Sequence, residues 1–501
     1  MDALYYLGLL VSILIIVYQF TPNRRVQHKD LPPSPPSLPI IGHFHLLKRP
    51  VHQALSNLSN KYGPIFLLRL GSLSTLVLSS RSAIEECFPK NDIIFSNRPL
   101  LPSQKILQDN YTTIGAPFGN HWRNLRRFTA LEIFSAKSLQ MSSDIRTEEI
   151  RFMIKHLCKR SFEGVVLRKV DVKSLFYLLD FNIMLKMVAG KRCFEEEDLD
   201  LDETTKGKLD DLKETFGLFL YMALGDYFPY LRWLTYYGVE KQQMNIHKKR
   251  DAFIQALLDA HQNNNNPLMT STVPGGEISR PIIDVLLKLH ESEPEFYTND
   301  VIKGIIQVIK AHNNASSRDT VVTLDSVVSQ LMAHPEAFKK ARDEIDNHVG
   351  DYSRLLNDAD LAKLPYLHSI ISETLRVGPV TVLPARESSK DCTVGGYHIP
   401  RGSQLWVNAW AVHRDPALSV STKRRFVEEK QGGCKFLSFG LGRRVCPGEG
   451  LGMRVMALSL GTLIQCFEWE EKTNLNKQSE ERPVNIIFRP REALTKVLAQ
   501  L

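Results

Sequence analysis

Phe439-Gly440-Leu441-Gly442-Arg443-Arg444-Val445-Cys446-Pro447-Gly448 is the stretch on which the reading of this chain turns. Its three glycines let the backbone turn tightly and approach another group closely. A cysteine inside such a loop has its sulfur ringed by backbone N–H groups. Those dipoles, with the neighbouring arginines, stabilise a thiolate. A thiolate on haem iron pushes electron density toward dioxygen and favours O–O cleavage. The competing reading is a glycine-rich turn with an incidental cysteine. The full spacing F-x-x-G-x-R-x-C-x-G separates the two, because chance rarely satisfies all of it.

Two further patterns stand upstream. Glu373-Thr374-Leu375-Arg376 puts a carboxylate and a guanidinium three residues apart, on one helical face. Alone it reads equally as a surface ion pair of little worth. His121-Trp122-Arg123-Asn124-Leu125-Arg126-Arg127 puts Trp122 and Arg126 four apart. An indole N–H and a guanidinium on one face suit a pair of carboxylates such as haem propionates. A basic amphipathic helix facing a partner is the other reading.

Composition sets the frame. The 501 residues are 43% hydrophobic and 24% charged, which excludes a largely disordered chain. The net charge of +8 suits an acidic partner or an anionic membrane surface. No dense basic run interleaved with aromatics points to nucleic acid. Seven cysteines, an odd number with no CxxC pair, argue against a disulfide framework and a structural zinc site. Ala3 to Phe20 is nearly all apolar and uncharged, long enough as a helix to span about 27 Å. Arg24, Arg25 and Lys29 follow it and place the remainder in the cytosol. Leu31 to Pro39, rich in proline, reads as a stiff standoff. The expected organisation is a transmembrane anchor over 1–22, a basic and proline-rich hinge over 23–50, and a haem-binding catalytic domain over 51–501. Strand hairpins are expected from Pro64 to Ser79 around Gly71, and around Gly395-Gly396 running into Ser403 to Val407. Helices are expected over Gln330 to Asn347 and Leu364 to Arg376, and a surface loop at Asn263 to Asn266. The predicted fold class is mainly α with small β-sheets.

The Cys446 loop, Glu373/Arg376, the Trp122/Arg126 helix and the proline-rich hinge stand in the order found in cytochromes P-450. The chain resembles that family nearly end to end, in its plant microsomal form. Val394 to Gly402, Val407 to Pro416 and Leu463 to Trp469 are similar to the branch containing isoflavone hydroxylases. The resemblance implies the cytochrome P-450 fold behind an N-terminal transmembrane helix. It also implies haem b, a single-pass location in the endoplasmic reticulum membrane, and electrons from an NADPH-cytochrome P-450 reductase. It implies Cys446 as axial ligand, Phe439 as a cofactor contact, and Trp122, Arg126, Arg386 and Arg444 as propionate contacts. Glu373 and Arg376 would join Arg425 in a structural ion network beneath the haem. The expected partners are that reductase, membrane lipid and a small aromatic, phenylpropanoid- or flavonoid-like substrate.

The chain departs from the family in the long central helix. The family's small-Gly-x-acid-Thr-Thr/Ser run is replaced by Ala315-Ser316-Ser317-Arg318-Asp319-Thr320-Val321-Val322-Thr323-Leu324. Counting back from Thr323-Leu324 puts Arg318 on the acid and Asp319 on the alcohol. Matching acid to acid and alcohol to alcohol selects Asp319 and Thr320 as the catalytic pair, but needs a gap. The segment before Phe426 is short, and the turn over Val380 to Ala385 lacks one residue. Three functions follow: a monooxygenase, a haem-thiolate isomerase or dehydratase, or a haem-binding relative with little or no activity.

Overall fold

The computed structural model describes residues 30–107, 115–162, 170–216, 224–229, 240–263, 278–350, 353–378, 382–415, 437–471 and 485–499, with a few isolated positions besides; over 308–319 it describes the backbone alone. The chain divides into two compact units. One comprises Met1–Lys105, Tyr221–Gln242 and Val380–Val445; the other comprises Ile106–Leu220, Gln243–Pro379 and Cys446–Leu501. The expected fold class, mainly helical with small sheets, is what the described residues form.

The first unit is built on a four-stranded sheet. Its strands are β1 (Ile65–Leu70), β2 (Leu73–Leu78), β4 (Arg386–Glu387) and β7 (Gln404–Val407). Their order is β1-β2-β7-β4, with β2 and β7 parallel and the other pairs antiparallel. The β1–β2 hairpin is the one expected, and it turns at Gly71 with φ +59°. A Cβ there would collide with the carbonyl of Tyr227. Alternation along the strands feeds two cores. Leu76, Leu78, Leu405 and Val407 pack with Ile84, Cys87 and Phe88 of α2 (Arg81–Asn91) on one face. Phe66, Leu68, Val77 and Trp406 pack with Leu55 of α1 (Val51–Tyr62) on the other. The second hairpin is shorter than expected: β5 (Cys392–Val394) pairs only with β6 (Tyr397–Ile399). Residues 404–407 are fully buried and complete the larger sheet instead, where they gain two ladder partners.

The proline-rich segment is docked on the first unit. Prolines have no N–H to give, so the segment offers carbonyls to the body. Asp30 O accepts from His398 N at 2.7 Å and Pro33 O from Leu67 N at 2.8 Å. The buried His43 ring bridges Pro35 O (2.8 Å from Nε2) and Arg69 N (2.7 Å to Nδ1). Donating at Nε2 while accepting at Nδ1 requires the neutral ring.

The second unit is helical. Its main elements are α3 (Asn120–Phe128), α4 (Val172–Ala189), α5 (Asn299–Ala333), α6 (Pro335–Val349), α7 (Pro365–Val377) and α8 (Glu449–Cys466). α4 is apolar nearly all round, so almost every side chain is buried, and it packs along α5. The stretch Gln330 to Asn347, expected as one helix, is broken at His334-Pro335. Proline has no N–H to continue α5, but its fixed φ suits the first position of α6. A three-stranded sheet of β8 (Phe467–Glu471), β9 (Asn485–Pro490) and β3 (Val170–Asp171) closes the unit in the order β8-β9-β3. The fully buried Arg146 guanidinium meets Asp358 (Nη2–Oδ2 2.9 Å), which also takes Arg454 of α8 at 2.7 Å.

Among the described residues no helix is long and apolar enough to cross a membrane. The expected span over 3–20 lies outside them except at Tyr6, Gly8 and Ser12, which are helical. Of the polar loop expected at Asn263 to Asn266, Asn263 ends a helix and 264–266 lie outside the described residues.

Burial holds the His43 pKa below its ordinary 6.5. The stability of this neutral clamp is therefore present above pH 6.5 and lost as pH falls below it toward the lowered value. We expect His43→Gln to cost about 1 kcal/mol at pH 7.5. The variant should also decline less steeply than the parent between pH 7.5 and 5.5. Denaturant melts at the two pH values test this; equal slopes would remove His43 from the acid response.

Candidate active site

In the first unit the glycine-rich loop hangs on one carboxylate. Asp92 caps the C-terminus of α2. Its oxygens accept from Arg443 N at 3.3 and 3.2 Å and from Arg386 Nη1 at 3.4 Å. Gly440 and Gly442 have φ +81° and +62°, and a Cβ on Gly442 would collide with that carboxylate. Arg386 comes from β4 and is buried. Its Nη2 donates to Leu441 O, and its guanidinium lies 4.8 Å from the Phe88 ring centroid. Burial pulls its pKa down, and the Asp92 carboxylate opposes that. Arg444 Nε donates to Ser96 O at 2.7 Å. Phe439 is half-buried in the same loop. Arg386 is thus bonded to the loop at Leu441, and Arg444 ties the loop to Ser96.

It also adds two residues that the motifs did not single out. Asp92 is one. The other is Arg98, whose Nη1 donates to Pro384 O (2.8 Å) and Ala385 O (2.6 Å), the two residues before Arg386. Burial, reinforced by the nearby Arg386 charge, pulls the Arg98 pKa down to about 10. A turn-like Phe95-Ser96-Asn97-Arg98-Pro99 carries no spacing that marks it. Only the strand that returns three hundred residues later reveals it.

In the second unit Cys446 is half-buried just before Gly448, the N-cap of α8. The helix start therefore presents unsatisfied N–H groups and the positive dipole end near the sulfur. On α3, Trp122 is buried against the Phe118 ring, with centroids 5.3 Å apart. Arg126, one turn on, is half-buried. Burial lowers its pKa, and the Cys446 sulfur is the charge that raises it. No carboxylate among the described residues pairs with it. A cation so placed fits an anionic group, which is the test a haem with its propionates and thiolate ligand must meet, and these residues meet it.

α5 runs as one unbroken α-helix through the departing stretch. Thr320 is buried, with its Oγ1 3.8 Å from where a Cβ would stand on Gly452 of α8. Thr320 thus faces α8 at Gly452. The backbone of Asp319 is helical, and its side chain is outside the described residues. Arg425 lies wholly outside them as well, and the described part of the expected ion network includes the Glu373–Arg376 pair. Arg376 grips Glu373 with Nε–Oε2 2.8 Å and Nη2–Oε1 2.6 Å, which raises the Arg376 pKa. The side chains are 20% and 32% exposed, so the pair is bidentate and half-buried.

The cytochrome P-450 family model matches residues 32–497. Among curated proteins, cytochrome P-450 81Q32 of Catharanthus roseus is 43% identical, covering 100% of this chain and 99% of its own. A (+)-piperitol/(+)-sesamin synthase of Sesamum radiatum is 41% identical, over 100% and 99%. An isoflavone 2'-hydroxylase of Glycyrrhiza echinata is 37% identical, over 99% and 98%.

Glu373→Ala should lower stability by about 1–3 kcal/mol, the worth of charged hydrogen bonds only partly screened by solvent. Chemical denaturation of the haem-loaded protein measures it. A change within experimental error would make the pair a surface one.

Proposed function

The chain belongs to the cytochrome P-450 family, and from that premise we propose that it is a haem-thiolate monooxygenase hydroxylating a small, largely apolar aromatic metabolite. The observation that carries the reading is Arg126, a half-buried cation of α3 that pairs with no carboxylate among the described residues and whose charge the Cys446 sulfur favours. In this reading Cys446 is the iron ligand. Trp122, Arg126, Arg386 and Arg444 would hold the propionates, and Phe439 would contact the cofactor. Bound through a thiolate, haem iron supplies the activation of dioxygen that inserts one oxygen atom into a C–H bond. This chain's residues do the rest. The dipole of α8 and the loop N–H groups keep Cys446 deprotonated. Asp92 fixes the loop's glycine turn, and Arg98 fixes the strand that presents Arg386. Glu373 and Arg376 brace α7.

The hydroxylase and synthase names of the relatives support an aromatic plant metabolite as the substrate class. Electrons come from an NADPH-dependent reductase. The chain is anchored in the endoplasmic reticulum membrane by residues 1–22, with 23–50 as hinge and 51–501 as catalytic domain on the cytosolic side. The apolar run over 3–20 and the helical Tyr6, Gly8 and Ser12 support the anchor.

The deciding experiment is the reduced carbon-monoxide difference spectrum of the expressed protein. A thiolate-type band is expected, and Cys446→Ser should abolish it, because a neutral hydroxyl is a poor iron ligand. Its persistence in the variant would refute Cys446 as ligand.

Proton delivery during turnover rests on α5. It needs a donor within about 2.6–3.2 Å of the reacting oxygen, directly or through one water. The replaced run Ala315 to Thr323 supports an altered acid–alcohol pair: its two alignments differ by one residue, about 100° of rotation on the unbroken α5. We expect product formed per NADPH consumed to fall below one, with the remaining electrons released as hydrogen peroxide. Rebuilding Ala315 to Thr323 to the family pattern should raise the ratio. Tight coupling in the parent, lost in Thr320→Ala, would show instead that Thr320 serves the chemistry.

A further inference from the structure

One face of the four-stranded sheet carries a polar row that nothing above uses. Thr75 of β2 is register partner to Gln404 of β7, and Gln404 is register partner to Glu387 of β4. Register partners project to the same side of a sheet, so the three side chains stand abreast. Their surroundings are apolar: Phe66, Leu68, Val77, Trp406 and Tyr227 form the core on this face. Thr75 is 0% and Gln404 1% exposed. Neither the Thr75 hydroxyl nor the oxygen or nitrogen of the Gln404 amide has a hydrogen-bond partner among the described residues. Glu387 is half-buried, its carboxyl pushed up by desolvation and held back by Arg401.

A primary amide offers two donors and a two-lone-pair acceptor, and leaving all of them unmet in a dry core is strongly unfavourable. An apolar residue of similar shape, such as methionine, would fill the position without that penalty. Neighbouring side chains on one face have Cβ atoms about 4.5–5.5 Å apart. The two polar ends make no direct bond to each other, and one small molecule donating and accepting at about 2.8 Å would reach both. The occupant must be small, uncharged, and both donor and acceptor. We propose that the Thr75–Gln404–Glu387 row is a binding site for ordered internal water. One molecule bridges the Thr75 hydroxyl to the Gln404 amide, and a second links that amide to the Glu387 carboxylate. The row runs from the closed interior at Thr75 to the half-exposed edge at Glu387, which is the route by which these waters exchange with solvent. Buried waters of this kind satisfy several polar groups at once and act as part of the core.

The direct test is a crystal structure of the haem-loaded parent at a resolution that shows waters. Density within hydrogen-bond distance of both Thr75 Oγ1 and the Gln404 amide is expected. A dry, closed row would overturn the proposal. A thermodynamic test accompanies it, using Thr75→Val, Gln404→Met and the double variant. If a water is shared, each single change strands it and lowers the unfolding temperature. The second change then costs less once the first is made. If the row is dry, each variant removes an unmet polar group. The unfolding temperature then rises in both, with additive effects, and that result would overturn the proposal on its own.

Discussion

The Asp92 carboxylate is where the electrostatics of the first unit converge. It stands at the end of α2 and receives the Arg443 backbone N–H and the Arg386 guanidinium. A carboxylate in that place excludes any side chain at residue 442, so the loop must carry glycine there, with a left-handed backbone. The turn that follows closes with Val445 N donating to Gly442 O, and the next residue is Cys446. Arg386 answers the same carboxylate from β4 and also donates to the loop carbonyl of Leu441. Strand, helix end and loop are thus joined at one charge. Charge-assisted bonds hold better than neutral ones where solvent is largely excluded.

A different constraint shapes the second unit. α8 begins just after the cysteine and is buried along nearly its whole length, so its start is held by packing from its far end. Arg454 anchors it to Asp358 at Oδ2, and the fully buried Arg146 shares that oxygen while its Nε reaches Oδ1. The carboxylate compensates the desolvation of the buried Arg146 guanidinium against the opposing Arg454 charge, and removing Asp358 would leave that guanidinium stranded. Gly452 lets α5 come close to α8, and Thr320 fills the approach.

Much of the site was legible because its signals are local in the chain. The F-x-x-G-x-R-x-C-x-G spacing places glycines, arginines and a cysteine within one loop, and a four-residue interval puts Trp122 and Arg126 on one helical face. Glu373 and Arg376 meet as their three-residue spacing implies. What spacing does not contain is depth: the same pair reads as surface or interior, and the structure finds it half-buried. Nor does it contain partners distant in sequence. Asp92 and Arg98 act on residues about three hundred positions away, and no periodicity links them. The broken helix at His334-Pro335 shows the opposite failing. Proline was visible there, but helix-forming composition on both sides concealed the interruption.

By itself, then, the amino-acid sequence determined the class of fold, the family, the hairpin at Gly71 and the loop that carries Cys446. Each depends on residues near one another along the chain, where backbone geometry turns order directly into position. Tertiary structure alone decided that 404–407 complete the main sheet, that the proline segment is docked through His43, and that Thr320 packs on α8. It also decided that Asp92 and Arg98 support the loop and strand. Those outcomes depend on which distant segments come to share a core. Burial, charge compensation and hydrogen-bond satisfaction choose among them, and all three are properties of the folded neighbourhood.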